Sequence, residues 1–259
     1  EYGQEQLEAA GEVASTRRDF VVYYLALAEA SAPALQGSGQ AAALVQLTLE
    51  YTNLQMALAW SHAVEATGQA ALRLASALFD YWLTTGRWHE GRTWLNNVLA
   101  ETTAAERTEL RARTLSRTGV LAYLQGDYQV ALRQLEEAAD IARELPAPKV
   151  LAASLLGLGW LALERQDHAL ATAYLEESLA TGRALGDKYE ISSELVHLGS
   201  AMCEQGDYAK AQLLYEEGLA LFVELDLDFD IADGHYYLGQ AARLQGDHPR
   251  ALASFRESL

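Results

Sequence analysis

Glycine returns at positions 119, 159, 199 and 239, forty residues apart each time, and a whole pattern returns with it. A turn follows each glycine: "QGDY" from Gln125, "RQDH" from Arg165, "QGDY" from Gln205 and "QGDH" from Gln245. Twelve residues after each glycine stands an alanine, at Ala131, Ala171, Ala211 and Ala251. One step earlier the pattern is degraded but legible, with Phe79 in the glycine slot, "TGRW" as the turn and Gly91 in the alanine slot. Five copies in one phase constrain the fold more than any other feature of the chain. A short unit that cannot bury its own apolar face must stack on its neighbours.

The residues of one copy describe a helical hairpin. Leu115, Gly119, Leu121 and Ala122 fall at helical spacing before the turn, and Ala131, Leu135 and Ala138 do so after it. The Gly-Asp pair between them supplies a residue free to take positive φ at the end of one helix. It also supplies a carboxylate to cap the next. Small residues at facing positions let the two helices approach closely. Helix pairs are therefore predicted to turn at Gly86, Gly126, Gln166, Gly206 and Gly246.

A hairpin with this glycine, Gly-Asp-Tyr and alanine spacing resembles a tetratricopeptide repeat. The resemblance implies an all-α, right-handed superhelical solenoid of antiparallel helix pairs. The sequence departs from that family in its period of forty rather than about 34, in the absence of the early tryptophan and in having no closing proline. The extra residues are assigned to longer helices or to a longer joint between repeats. Residues 68–259 are read as five such repeats, the last truncated, and residues 1–67 as a separate helical region.

Composition narrows the function. The chain has a net charge of −17, a single cysteine (Cys203) and four prolines in 259 residues. The acidic balance disfavours direct nucleic-acid binding, which needs clustered Lys and Arg. The lone cysteine excludes an intramolecular disulfide framework and suits a reducing compartment, so a cytoplasmic location is expected. The most apolar run, "FVVYYLALA" from Phe20, is too short to span a bilayer. Charge is unevenly placed: residues 68–147 hold 10 Asp and Glu against 9 Lys and Arg, whereas residues 148–259 hold 18 against 8.

The first seventy residues lose the register but stay helical in pattern. "EYGQEQLEAAGE", the Arg17–Arg18 pair, "YYLALAEA" and "LEYTNLQMALAW" resemble the region after the winged helix in bacterial signal-transduction ATPases. Those are the predicted ATPases of LuxR-like and AfsR-like regulators, built on an NB-ARC-type module. The likeness rests on Glu50, Asn53, Leu54, Ala57 and Trp60, with Asn53 and Trp60 read as an interhelix packing corner. It implies that this chain is the ligand- or protein-binding sensor region of a multidomain transcriptional regulator or signalling ATPase, cut from its neighbours. The alternative is a free-standing tetratricopeptide scaffold for protein assembly.

Little in the chain points to catalysis, and no enzyme activity, cofactor or metal is expected. No phosphate loop of the form G-x-x-x-x-G-K-[ST] occurs. The six histidines make no i, i+4 pair. The run "ELDLDFDIAD" offers Ile231 and Tyr237 where a Ca²⁺ loop needs glycine and glutamate.

The tetratricopeptide likeness implies a concave groove lined by the second, fifth, ninth and twelfth positions of each first helix. Arg73 and Arg113 occupy one such row, with Arg117 a turn beyond, and Tyr123 and Trp160 lie further along. These five residues are the candidate ligand contacts. The expected partner is a peptide, a protein segment or a small anionic ligand. The arginines have an alternative reading as partners of nearby glutamates such as Glu109. Because the last pair lacks a following repeat or polar cap, self-association is expected through residues near Tyr237 and Phe255.

Overall fold

The computed structural model describes residues 12–61, 69–101 and 107–259. Those residues are helical with short connections, and the chain divides into two compact units, 1–121 and 122–259. The expected boundary at 67/68 and the segment "EYGQEQLEAA" lie outside the described residues.

The described part of unit 1 opens on α1 (Val13–Ser31), which stops before Pro33 and passes into a 3-10 turn, Pro33–Gln36. Two helices follow, α2 (Gln40–Leu49) and α3 (Tyr51–Ser61), divided at Glu50. The division has a visible cause in side-chain bonding. Glu50 Oε2 accepts from the Tyr24 hydroxyl at 2.8 Å and from Asn53 Nδ2 at 2.8 Å, which fixes the corner against α1. Leu54 and Ala57 are fully buried beside it, and Trp60 meets Phe20 edge-on at 5.0 Å. The packing-corner reading of this segment therefore holds.

The first repeat follows as α4 (Ala70–Ala77), α5 (Phe79–Thr84) and α6 (Trp88–Ala100), its leading helix interrupted at Leu78. α7 (Glu109–Leu124) carries the chain to the end of the unit. The hairpin is closed by Trp82, fully buried, over Gly91, where a Cβ would stand 2.8 Å from the indole. Trp82 Nε1 donates to the Tyr51 hydroxyl at 2.8 Å, so its one polar atom is satisfied inside the core.

Unit 2 is the regular part. It contains α8 (Tyr128–Glu144), α9 (Pro148–Glu164), α10 (His168–Leu185), α11 (Lys188–Glu204), α12 (Tyr208–Leu225), α13 (Asp228–Gln245) and α14 (His248–Glu257). Each helix packs on the next, and α9, α11 and α13 also touch in series, which is the contact pattern of a stack of hairpins. One continuous core runs through it, from Leu156 and Leu175 by way of Leu195 and Tyr215 to Leu238. The helices α9 to α13 are 17 or 18 residues long, with connections of two or three residues. The surplus over a shorter repeat thus lengthens the helices and leaves the joints tight.

All five expected turns take positive φ: Gly86, Gly126, Gln166, Gly206 and Gly246. Each is closed by the same pair of backbone bonds. In the third, the Asp167 amide reaches Ala162 O at 2.9 Å and the Gln166 amide reaches Leu163 O at 2.8 Å. Asp167, Asp207 and Asp247 then cap the following helices by accepting from Leu170, Lys210 and Arg250 amides at 3.1 Å.

In the last three copies the glycine faces a residue other than the expected alanine. A Cβ on Gly159 would stand 2.7 Å from Leu175, on Gly199 2.6 Å from Tyr215 and on Gly239 2.6 Å from Phe255. The notch is filled from the second helix by a large side chain one turn beyond the alanine. Phe255 and Tyr237, expected to mediate self-association, are both half-buried: Phe255 fills its notch and Tyr237 stacks on Tyr215 at 5.5 Å.

Candidate functional site

The five candidate contacts fall in different settings. In unit 1, Arg73 makes two bonds to Glu29 of α1, from Nε at 2.8 Å and Nη2 at 2.6 Å. Arg113 pairs with Glu109 one turn back on its own helix. Arg117 donates to the Ser76 carbonyl, and its guanidinium lies 5.2 Å over the Phe79 ring. It also faces Asp80, a buried carboxyl that desolvation pushes above its ordinary value while Arg117 and Gln36 pull it back. The alternative reading of the arginines, pairing with glutamates, describes Arg73 and Arg113, although one partner lies 44 residues away in sequence.

In unit 2 the two aromatic candidates come together. Tyr123 and Trp160 lie 5.4 Å apart between ring centroids; Trp160 meets His197 at 4.8 Å, and Tyr123 meets Tyr128 at 5.7 Å. Tyr123, Trp160 and His197 are spaced 37 residues apart, three fewer than the repeat, so the rings cross successive first helices on a diagonal. Desolvation pushes the His197 imidazole down to about 4, which leaves it neutral at ordinary pH. Trp160 Nε1 has no hydrogen-bond partner.

Beside this file opens a cleft of about 560 Å³ lined by Tyr123, Leu163, Glu164, Gln166, His168 and Glu204. The Tyr123 hydroxyl donates to Glu164 Oε1 at 3.1 Å, and His168 Nδ1 stands 3.5 Å from Glu204 Oε2. Burial and the two carboxylates together hold the Tyr123 phenol in its neutral form. The sequence reading missed Glu164 and Glu204. Their signal was available: they occupy one repeat position, forty residues apart, one step past the last row considered.

Six of the ten basic side chains of unit 2 are engaged with other carboxylates. Arg143 pairs with Glu177 at 3.4 Å and Arg183 with Glu217 at 2.6 Å. Lys210 pairs with Glu176 at 3.8 Å, Lys149 with Asp187 at 2.8 Å, and Arg250 with Glu216. These pairs form a ladder between successive repeats, each exposed and worth under about 1 kcal/mol. Among the described residues no Lys or Arg pairs with Glu164 or Glu204. Unit 2 as a whole holds 23 Asp and Glu against 10 Lys and Arg.

Among the described residues no cluster of three His, Cys, Asp or Glu side chains is placed to hold a metal. No helix among them is long and apolar enough to cross a membrane.

The family model described as tetratricopeptide repeat matches residues 70–144 and 110–184, two windows displaced by one forty-residue period. No curated protein matches the chain in sequence. Among solved structures, BtubC (BKLC) from P. vanneervenii is similar in fold, with a TM-score of 0.63 and 18% identity over 83% of this chain and 87% of its own. A Rap protein complexed with Competence and Sporulation Factor is similar with a TM-score of 0.68 and 13% identity, over 93% of this chain and 76% of its own. Residues 70–184 thus match the tetratricopeptide-repeat model, and the fold of the chain is all-α and tetratricopeptide-like, similar to that of these solved structures.

Proposed function

We propose that the chain is a non-catalytic interaction module that takes an extended protein segment along unit 2 and receives its cationic side chains in the Tyr123–Glu204 cleft. The observation that carries this reading is the distribution of charge. The ladder engages Arg143, Lys149, Arg183, Lys210 and Arg250, while Glu164 and Glu204 line an open cleft without Lys or Arg partners. A guanidinium or ammonium group entering there meets two carboxylates and the Tyr123 ring, an arrangement favourable to cations. The excess negative charge of the unit also steers such a partner towards it. Trp160, one ring away, offers a partly exposed apolar surface, with its indole N–H buried beneath it. The arginines of unit 1 support an anionic ligand less well, because Arg73 and Arg113 already hold carboxylates.

The test uses three blocked, extended octapeptides: one with two arginines, its twin with citrulline in both places and its twin with two glutamates. Binding is followed at the Trp160 indole N–H by NMR. The arginine peptide is expected to bind at least tenfold more tightly than the citrulline twin, and Glu164→Gln with Glu204→Gln is expected to abolish that preference. Tighter binding of the glutamate peptide would return the anionic ligand and the row of Arg73, Arg113 and Arg117. Failure of all three peptides at concentrations of several millimolar would remove the cleft from the interaction surface.

The likeness of "LEYTNLQMALAW" to the helical region of signal-transduction ATPases supports one further placement, as the sensor part of a bacterial regulator. A phosphate loop encoded upstream of Glu1 in the same gene is the expected result. A gene that encodes no such loop would leave the scaffold reading instead.

A further inference from the structure

Glu194, Ser178 and Gly182 meet at one buried spot in unit 2. Glu194 stands where the other copies have Leu74, Thr114, Ser154 and Gly234. Ser178 stands in the place of Val98, Ala138 and Gly218, a place where serine returns at Ser258, and Gly182 stands in the place of Ala142 and Phe222. The Glu194 side chain is fully buried, and Oε2 has no hydrogen-bond partner. A Cβ on Gly182 would collide with that oxygen, so the absent side chain is what makes room for the carboxyl.

The hydrogen bonds around it require one more proton than a carboxylate brings. Ser178 Oγ lies 2.8 Å from the Ala152 carbonyl oxygen and 2.6 Å from Glu194 Oε1. A serine hydroxyl owns a single proton and can give it to one acceptor. Both contacts are hydrogen bonds at once when Glu194 donates to Ser178 Oγ and Ser178 donates to Ala152. The relay then joins α11, α10 and α9.

We infer that Glu194 is a carboxylic acid in the folded chain and that its proton couples the joint between the α9–α10 and α11–α12 repeats to pH. Losing the proton leaves a charge in a site closed to water and sets oxygen against oxygen at one of the two contacts. Burial is the main force and pushes the Glu194 carboxyl up to about 7. Asp187 in the α10–α11 joint acts in the same direction; Ser178 and Arg183 of α10 oppose it, and Arg183 is already bonded to Glu217 at 2.6 Å. α9 contributes the uncharged Ala152 carbonyl. The sign follows from linkage, because the folded chain binds this proton more tightly than the unfolded one. The contribution is whole below the ordinary carboxyl value of 4.5 and is lost as pH rises through about 7.

The experiment compares the whole chain with Glu194→Gln, whose amide keeps the shape and donates to Ser178 at every pH. Backbone hydrogen-exchange protection factors, with the intrinsic pH dependence divided out, are measured at pH 5.5 and 8.5. Protection in α10 and α11 is expected to fall at least tenfold in the parent relative to Glu194→Gln, while α13 and α14 respond alike in both. Equal responses in α10 and α11 overturn the inference. Carbon-13 titration of the parent's glutamate carboxyls tests it without any variant: one is expected to titrate near 7, and none titrating above pH 6 overturns it equally.

Discussion

The first repeat and the repeats of unit 2 close the same kind of hairpin with bulk on opposite sides. In unit 1 the large residue is on the leading helix and the glycine on the second, Trp82 over Gly91. In unit 2 the glycine leads, and Leu175, Tyr215 or Phe255 fills the notch from the second helix. One small residue against one large one is therefore the requirement, and either helix can carry either. The two forms differ in what they lean on. Trp82 needs Tyr51, from α3 outside the hairpin, to satisfy its indole. In the unit 2 notch the glycine and the side chain that fills it come from the same pair of helices, which suits a form that is repeated.

The largest test of this contrast is Trp82→Ala. Removing a fully buried indole costs about 3–5 kcal/mol, and it strips the Tyr51 hydroxyl of its donor as well. Urea denaturation should show that loss, with exchange protection falling in α3 as well as in α4 to α6. A loss confined to α4–α6 would mean that the inverted notch is self-contained after all. Gly199→Ala comes next. Its Cβ would press on a Tyr215 ring that Tyr237 backs from another direction, so a loss of about 2 kcal/mol is expected. A neutral result in the same melt would show that Tyr215 can shift, and that the notch is looser than its geometry.

Gln166 is the one non-glycine among the five hairpin turns, at φ 59°. Gln166→Gly should stabilise unit 2 by about 1 kcal/mol by removing a left-handed side chain. A destabilised variant would instead credit the glutamine side chain with a role in the cleft that it lines. The smallest effect is expected at Arg73. A double-mutant cycle with Glu29 should give a coupling of about 0.5–1 kcal/mol, since both side chains are more than a third exposed. A coupling above about 2 kcal/mol would make this pair, rather than the Trp82 notch, what holds α1 on the first repeat.

Much of the fold was legible because the repeat writes local rules. A residue at positive φ followed by a capping carboxylate leaves a short, position-specific trace, and all five turns fall where that trace lies. The resident of the glycine notch was less legible. Leu175, Tyr215 and Phe255 share a repeat position but differ in type, so the alanine four residues earlier drew the eye. The helix break at Leu78 and the pairing of Arg73 with Glu29 left no local sign, since both are settled by neighbours distant in sequence. Tyr123 and Trp160 were found from their groove rows, and the structure sets them side by side. His197 was missed because a diagonal across successive helices follows no single row, and Glu164 and Glu204 because their row lies one step past the last groove row. The Glu194 site left a trace in the sequence as two departures, Gly182 and Glu194, beside a serine position that recurs at Ser258. What lay beyond reach was that Ser178, Gly182 and Glu194 face one another.

The ring stack at Trp160 also gives the chain a built-in optical address. Trp60, Trp82, Trp88 and Trp94 all precede residue 121, so Trp160 is the lone tryptophan of unit 2. Its emission, taken as the difference between the parent and Trp160→Phe, reports on that unit without any attached dye. The melting of one half of the molecule can thus be watched against the other in a single cuvette.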